Sequence, residues 1–124
     1  MNITTLQEKL QKAKLIGAQQ VALHHGTLEE HKSFGIIKLS GQLEAKFVEV
    51  HGEENVVGWT INEVITELQR FKAAYGDMEV KGSFESENTS FKVADPIKTV
   101  CVIAYKNSEK EDILMTLLSI SDLT

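Results

Sequence analysis

The residues best suited to metal chemistry are three histidines in one short stretch. His24, His25 and His31 lie within eight positions, and the five residues between the last two include two glutamates. Two imidazoles and a carboxylate would approach the ligand set of a zinc or iron site if the stretch were helical. Gly26 interrupts it, however, and the His-Glu-x-x-His spacing of metalloproteases is absent. We therefore expect a polar turn, and a metal-dependent hydrolase using these residues or His51 is the less favoured alternative.

The chain has one cysteine, Cys101, within the apolar run Thr99 to Tyr105. A nucleophilic cysteine needs a lowered pKa and an accessible site, and an apolar strand supplies neither. Core packing is the favoured role. A single cysteine also excludes an internal disulfide and favours a reducing, cytoplasmic location.

Four glutamates could be combined into an acid–base pair: Glu53, Glu54, Glu63 and Glu67. Glu63 is instead placed to complete a helix-capping box, and Glu67 has Arg70 three residues on as a surface partner. Glycine-rich phosphate loops and the G-x-S-x-G elbow are absent from the sequence. We therefore lean against an enzyme and expect no cofactor.

Composition limits the classes of partner. The chain is 42% hydrophobic and 25% charged, as in an ordinary soluble domain, and no apolar run approaches the length of a membrane span. The net charge is −5, and residues 29–67 carry eight Glu against three Lys. Arg70 is the only arginine among thirteen basic residues. This balance argues against ordinary nucleic-acid binding and against membrane association.

The element most clearly defined by the sequence is a helix over residues 60–75. Thr60 and Glu63 have capping-box spacing, Gly76 suits the end, and a strand over 78–84 follows. Its apolar stripe comprises Ile61, Val64, Ile65, Leu68 and Phe71.

Other segments alternate as strands or repeat as helices. A first helix is expected over 4–16, capped by Thr4 or Thr5. Strands are expected over 34–39 and 43–50 with a Ser40-Gly41 turn, and a hairpin loop over 85–89 returns through 90–93. Residues 99–105 are apolar on both faces and are expected to be central or covered.

Residues 113–120 fit either a last strand beside 99–105 or a terminal helix capped by Ser108 and Glu111. The fold expected for residues 1–124 is a single α+β domain. It would hold an antiparallel sheet of five or six strands with one or two helices packed on one face.

Two patterns carry a resemblance: T-x-x-E-V-I-x-E-L-x-x-F from Thr60, and Y-G-D-M-E-V from Tyr75. Together they resemble a helix–strand module of small proteins from phages and prophages. The resemblance favours a strand over 113–119. It implies a non-catalytic binding protein that acts on a host protein or a host defence component.

Binding would then fall to the tryptophan and to the loops that flank the helix. Trp59 either packs on the first helical turn or anchors a partner. The candidate partner-binding residues are Glu53, Glu54, Trp59, Arg70, Glu85 and Asn88. Because the expected sheet has open edges, we expect a homo-oligomer. Sequestration of a small signalling ligand by such an oligomer and a structural role in a phage assembly are further alternatives.

Overall fold

The computed structural model describes residues 1–26, 31–85, 94–106 and 109–120, and it confirms the α+β class. Within these ranges the chain forms α1 Ile3–Leu15, β1 Gln20–Gly26, β2 His31–Gln42, β3 Phe47–Glu54, α2 Ile61–Tyr75, β4 Glu79–Glu85, β5 Asp95–Pro96, β6 Thr99–Lys106 and β7 Asp112–Ser119. In this part of the chain, neither helix has the length and apolar character needed to span a membrane.

Helix α2 begins and ends as its sequence predicts. The Thr60 hydroxyl accepts a hydrogen bond from the backbone N–H of Glu63, and the Glu63 carboxylate accepts one from the N–H of Thr60, at 3.3 and 3.1 Å. Gly76 ends the helix with φ 88°. Ile61, Val64, Leu68 and Phe71 are buried.

Helix α1 starts one residue earlier than predicted. Asn2 caps it by accepting a hydrogen bond at 2.9 Å from the N–H of Thr5, so the predicted caps Thr4 and Thr5 lie inside the helix. The N–H of Ile3 instead donates to the carbonyl oxygen of Met78 at 2.9 Å, which ties the start of α1 to the start of β4. Gly17 follows the helix with φ 102°.

The predicted antiparallel sheet of five or six strands is wrong in count and in direction. The described strands form one mixed seven-stranded sheet in the order β5-β4-β3-β2-β1-β7-β6. Strands β3 and β4 pair in parallel, with α2 as their crossover, and β1 pairs in parallel with β7. Both parallel pairs join strands that are distant in sequence, whereas alternation along a chain reveals only local hairpins.

The hairpin of β2 and β3 turns later than predicted. Residues 43–46 make the turn, with Lys46 at φ 59°, and Ser40 and Gly41 lie inside β2. Gly41 serves packing instead, because a Cβ there would lie 3.0 Å from the ring of Phe71 in α2.

The sheet is strongly curled. Leu23 of β1 reaches across to β3 and β4, where a Cβ on Gly52 or Gly82 would lie 3.2 or 2.6 Å from its side chain. The inner face, on which Val48, Val50 and Val80 lie, carries the core and both helices. Chain connectivity shows the same curl: β5 and β6 lie at opposite edges, yet two residues join them. Their nearest Cα atoms are therefore no more than about 11 Å apart.

Residues 112–119 form a strand, and it pairs antiparallel with 99–106 as predicted. The prediction offered 99–105 as central or covered, and the central alternative is wrong, because β6 is the last of the described strands in the sheet. Residues 99–103 are partly buried. The predicted return through 90–93, with Asn88 in its loop, lies outside the described residues.

Candidate functional site

The segment that leads into α2 passes through a gap in the sheet. Strands β1 and β2 pair only from Ala22–Gly35 to Gly26–His31, and beyond Gly35 they separate. The N–H of Trp59 donates to the carbonyl oxygen of Ile36 at 2.8 Å, and the N–H of Ile61 donates to that of Gln19 at 3.0 Å. The backbone around Trp59 therefore fills the space between the two strands.

Two glycines allow this passage. A Cβ on Gly35 would lie 2.6 Å from the amide nitrogen of Gly58 and would collide with the carbonyl oxygen of Val56. A Cβ on Gly58 would collide in turn with the backbone of Ile36. The two chain segments thus cross in direct backbone contact, which fixes the position of Trp59.

Trp59 forms one wall of an open pocket of about 370 Å³ at the start of α2. We call this pocket the Trp59 shelf, and it is lined by Trp59, Asn62, Glu63, Thr66 and Glu67. The tryptophan is half-buried and packs partly against the core. The volume lies in the range of small-molecule and side-chain sites.

Both carboxylates of the shelf already accept hydrogen bonds from neighbouring residues. One carboxylate oxygen of Glu63 accepts the capping hydrogen bonds from Thr60. Both oxygens of Glu67 accept from Arg70, at 3.2 and 2.7 Å. This hydrogen bond and the negative charge of Glu67 raise the pKa of the Arg70 guanidinium, which stays protonated. Arg70 is the more exposed member of the pair, with 66% of its side chain exposed against 28% for Glu67.

A larger groove of about 930 Å³ lies between α1 and α2. The amide of Gln7 donates to that of Gln69 across it at 3.0 Å, and Lys12, Lys72 and Glu8 line its sides. Its described lining includes no aromatic ring and mixes both signs of charge. The Trp59 shelf, in contrast, combines an aromatic ring with two carboxylates.

Other predicted partner-binding residues lie elsewhere. Glu53 and Glu54 end β3, and Glu53 stands opposite Glu85 of β4 in the parallel register. Trp59 and Arg70 meet at the shelf through Glu67, and Asn88 lies outside the described residues.

The histidine stretch is strand rather than turn, which corrects the expectation for His24 and His25. Successive residues of a strand point to opposite faces, so these two side chains cannot share an ion. His24 is fully buried, with its Nδ1 3.3 Å from the hydroxyl of Ser119, and the ring of His25 lies 5.3 Å from that of Phe84. Of His31 the structure describes the backbone, which pairs with Gly26. Among the described residues no group of three His, Cys, Asp or Glu side chains is placed to hold a metal.

Sequence reasoning missed a polar cluster on the outer face of the sheet, because the strand it predicted ended at residue 50, one residue before His51. His51 Nε2 lies 2.8 Å from both the Ser40 hydroxyl and a Glu49 oxygen, and its Nδ1 lies 3.3 Å from the Ser83 hydroxyl. Glu49 and His51 stand two apart on a strand, which is the signal that could have revealed them.

The cluster contains a serine, a histidine and a carboxylate, but it does not form a catalytic triad. In a triad the carboxylate holds the ring nitrogen remote from the serine. Here Ser40 and Glu49 both approach Nε2, so the carboxylate competes with the Ser40 hydroxyl. Ser83 lies on the opposite ring nitrogen, but it is 2% exposed, so its hydroxyl is closed to a substrate. The arrangement ties β2, β3 and β4 together and does not activate Ser40.

Cys101 lies half-buried on β6, where burial raises the pKa of its thiol. A raised pKa keeps the sulfur protonated at neutral pH, which is the opposite of what a nucleophile requires.

Comparisons with protein-family models, curated proteins and solved structures find no match to this chain.

Proposed function

We propose that this protein is a non-catalytic binding protein that holds a basic side chain of a partner protein on the Trp59 shelf. One observation carries the proposal: a half-buried tryptophan and two carboxylates surround a single open pocket. Tryptophan is the aromatic side chain that attracts cations most strongly, and carboxylates accept guanidinium groups in bidentate fashion.

Arg70 supports the choice of a basic ligand. Its guanidinium already binds both oxygens of Glu67, so a group of this shape and charge is compatible with the rim of the shelf. An incoming arginine or lysine would displace Arg70, whose exposed side chain can move aside. Arg70 is therefore a built-in competitor.

The charge distribution supports the same class of partner. The excess negative charge of residues 29–67, which include Trp59, Glu63 and Glu67, attracts a basic surface at long range and speeds its association. The phage-like pattern at 60–80 favours a host protein as the partner, and the single cysteine favours the cytoplasm. We propose that the protein acts there as a homo-oligomer.

The experiment uses Trp59 as its own reporter, because it is the only tryptophan in the chain. Short arginine- or lysine-containing peptides are titrated while tryptophan emission is followed, and each peptide has a counterpart with glutamine in place of the basic residue. We expect a saturable change of emission with the basic peptides that weakens as salt is added. An equal response to the glutamine peptides would refute the proposal.

Two variants sharpen the test. Glu67→Gln is expected to weaken peptide binding about fivefold, corresponding to ~1 kcal/mol, and Arg70→Gln is expected to strengthen it by removing the competitor. Glu44→Gln and Lys9→Gln make the same charge changes at exposed positions outside the shelf. If each control matched its test variant, binding would be a general charge effect and the shelf would have no part in it.

A further inference from the structure

Strand β6 offers an open edge for hydrogen bonding. It pairs with β7 over eight residue pairs, from Thr99–Ser119 to Lys106–Asp112, with no shift of register. No described strand pairs with its other side. Among the described residues, one row of backbone N–H and C=O groups on β6 is therefore without a partner strand.

The two edges of the sheet differ in how they are protected. Strand β5 is two residues long and consists of Asp95 and Pro96, a charge and a residue without a backbone N–H. Strand β6 is eight residues long and has no charged residue, proline or glycine from Thr99 to Tyr105. Native edge strands are normally blunted by such devices, and β6 lacks them.

The surroundings of β6 are apolar on both faces. Val100 and Val102 pack against the core, while Cys101 and Ile103 are half-buried on the outer face. On the inner side, Gly17 at the end of α1 lies against Leu114, which pairs with Ala104 of β6.

Helix α1, which contacts β6, carries two exposed aliphatic side chains at its end. Leu15 and Ile16 are 86% and 62% exposed, directly before Gly17.

We propose that a second copy of this chain occupies this edge, with the two β6 strands antiparallel about a two-fold axis. The inference rests on the self-association included in the proposed function, and it names the surface. Identical strands are complementary here, because each supplies the backbone groups that the other leaves open, and the two-fold axis closes the assembly at a dimer.

The flanking lysines restrict the register. Pairing Val102 with its own copy would place Lys98 opposite Lys106 twice, and like charges directly opposite are destabilising. Shifting the axis to Cys101 places Lys98 opposite Ala104 and Val100 opposite Val102. Shifting it to Ile103 places Lys106 opposite Val100. Centring the pair on Cys101 or on Ile103 avoids this contact between lysines, and cross-linking through cysteine distinguishes these two registers.

The first experiment measures mass in solution by light scattering and cross-linking through cysteine. We expect twice the monomer mass of 13.8 kDa. Residues directly opposite in an antiparallel pair have Cα atoms about 4.5–5.5 Å apart, within the span of a disulfide. Mild oxidation should therefore cross-link native Cys101 in one register, or Ile103→Cys in a Cys101→Ser background in the other. A monomer at the highest attainable concentration, or no cross-link at either position, would overturn the inference.

The second experiment breaks the edge. Ile103→Lys introduces a charge of the kind that blunts natural edges, and it should halve the mass while leaving circular dichroism unchanged. Ile103→Val keeps a β-branched apolar side chain and should remain dimeric. A dimer that persists in a folded Ile103→Lys protein would place the interface elsewhere. If Ile103→Lys does not fold, the cross-linking result decides.

The peptide titration at Trp59 separates this inference from the proposed function. A monomeric Ile103→Lys protein should bind basic peptides as the native protein does. Loss of the dimer with retained binding supports both proposals. If the native protein is a dimer but its Trp59 emission does not respond to basic peptides, the result supports the β6 interface and refutes binding at the Trp59 shelf.

Discussion

Gly58→Ala tests whether the backbone crossing at Gly35 fixes the fold around Trp59. A Cβ at this position would meet the backbone of Ile36 and Gly35 in the middle of β2, at 2.6 Å from the carbonyl carbon of Gly35. Strand β2 is held by hydrogen bonds to β3, so its backbone cannot move aside in the way that the tip of a flexible side chain can. The crossing segment must therefore move, and the hydrogen bond from Trp59 to Ile36 is lost.

The magnitude follows from two contributions. Overpacking at a site that cannot relax costs ~3 kcal/mol, the upper part of the usual range, and the lost hydrogen bond adds ~1 kcal/mol. For a chain of this size each kcal/mol lowers the melting temperature by roughly 3–5 °C, so we expect a fall of roughly 10–20 °C. Urea unfolding followed by circular dichroism measures the free energy. The tryptophan emission of the native state should also change, because Trp59 is displaced.

Gly76→Ala is the matched control. Gly76 has φ 88° and ψ −171°, a backbone region essentially restricted to glycine, and nothing lies within 4 Å of an added Cβ, so alanine there costs only backbone strain of ~1–3 kcal/mol. It should leave the emission of Trp59 unchanged. If Gly58→Ala costs no more than Gly76→Ala and leaves the emission as it was, the crossing does not constrain the shelf and the reasoning fails.

Three further predictions concern other parts of the molecule. Thr60→Ala removes the capping box of α2 and should lower the free energy of unfolding by ~1 kcal/mol in urea titration, whereas Thr66→Ala on the same helix should cost less. Ser40→Ala removes one hydrogen bond to His51 and should cost roughly 0.5–1.5 kcal/mol; a larger loss would mean that the cluster acts cooperatively. Burial raises the pKa of the Cys101 thiol, so the native protein should react slowly with a thiol reagent near neutral pH. Its reaction rate should rise with pH at a midpoint above that of the urea-unfolded chain. Equal midpoints would show that burial does not perturb the thiol.

The raised pKa of the Cys101 thiol also determines how this group affects stability as the pH changes. Because the thiol pKa is raised in the native state, any contribution of this group is present below the unfolded pKa and is lost as the pH rises through the native value.

The sequence by itself determined α2 and its boundaries. Thr60, Glu63 and Gly76 act on backbone groups within one turn of themselves, so their effect is visible in a short stretch of chain. The hairpin of β6 and β7 could be predicted for the same reason, since its strands are neighbours in sequence.

The candidate site residues divide in the same way, into features visible in the sequence and features that depend on the tertiary structure. Trp59 and Arg70 could be named from their residue types, but their meeting through Glu67 depends on how the helix stands beside the crossing segment. The cluster around His51 draws on three strands, and the alternation of one strand does not reveal its neighbours.

Only the tertiary structure decided the order of the strands. Parallel pairing of β1 with β7 joins two strands that are distant in the sequence, Gln20 lying beside Met115, and no local pattern encodes such a contact. The same arrangement leaves β6 at an edge, although its apolar residues are typical of a central strand. It also opens the gap between β1 and β2 through which Trp59 passes, and which Gly35 and Gly58 permit. A helix or strand is determined largely by interactions among its own residues. Its position in the fold is determined by surfaces that meet only when the whole chain has folded.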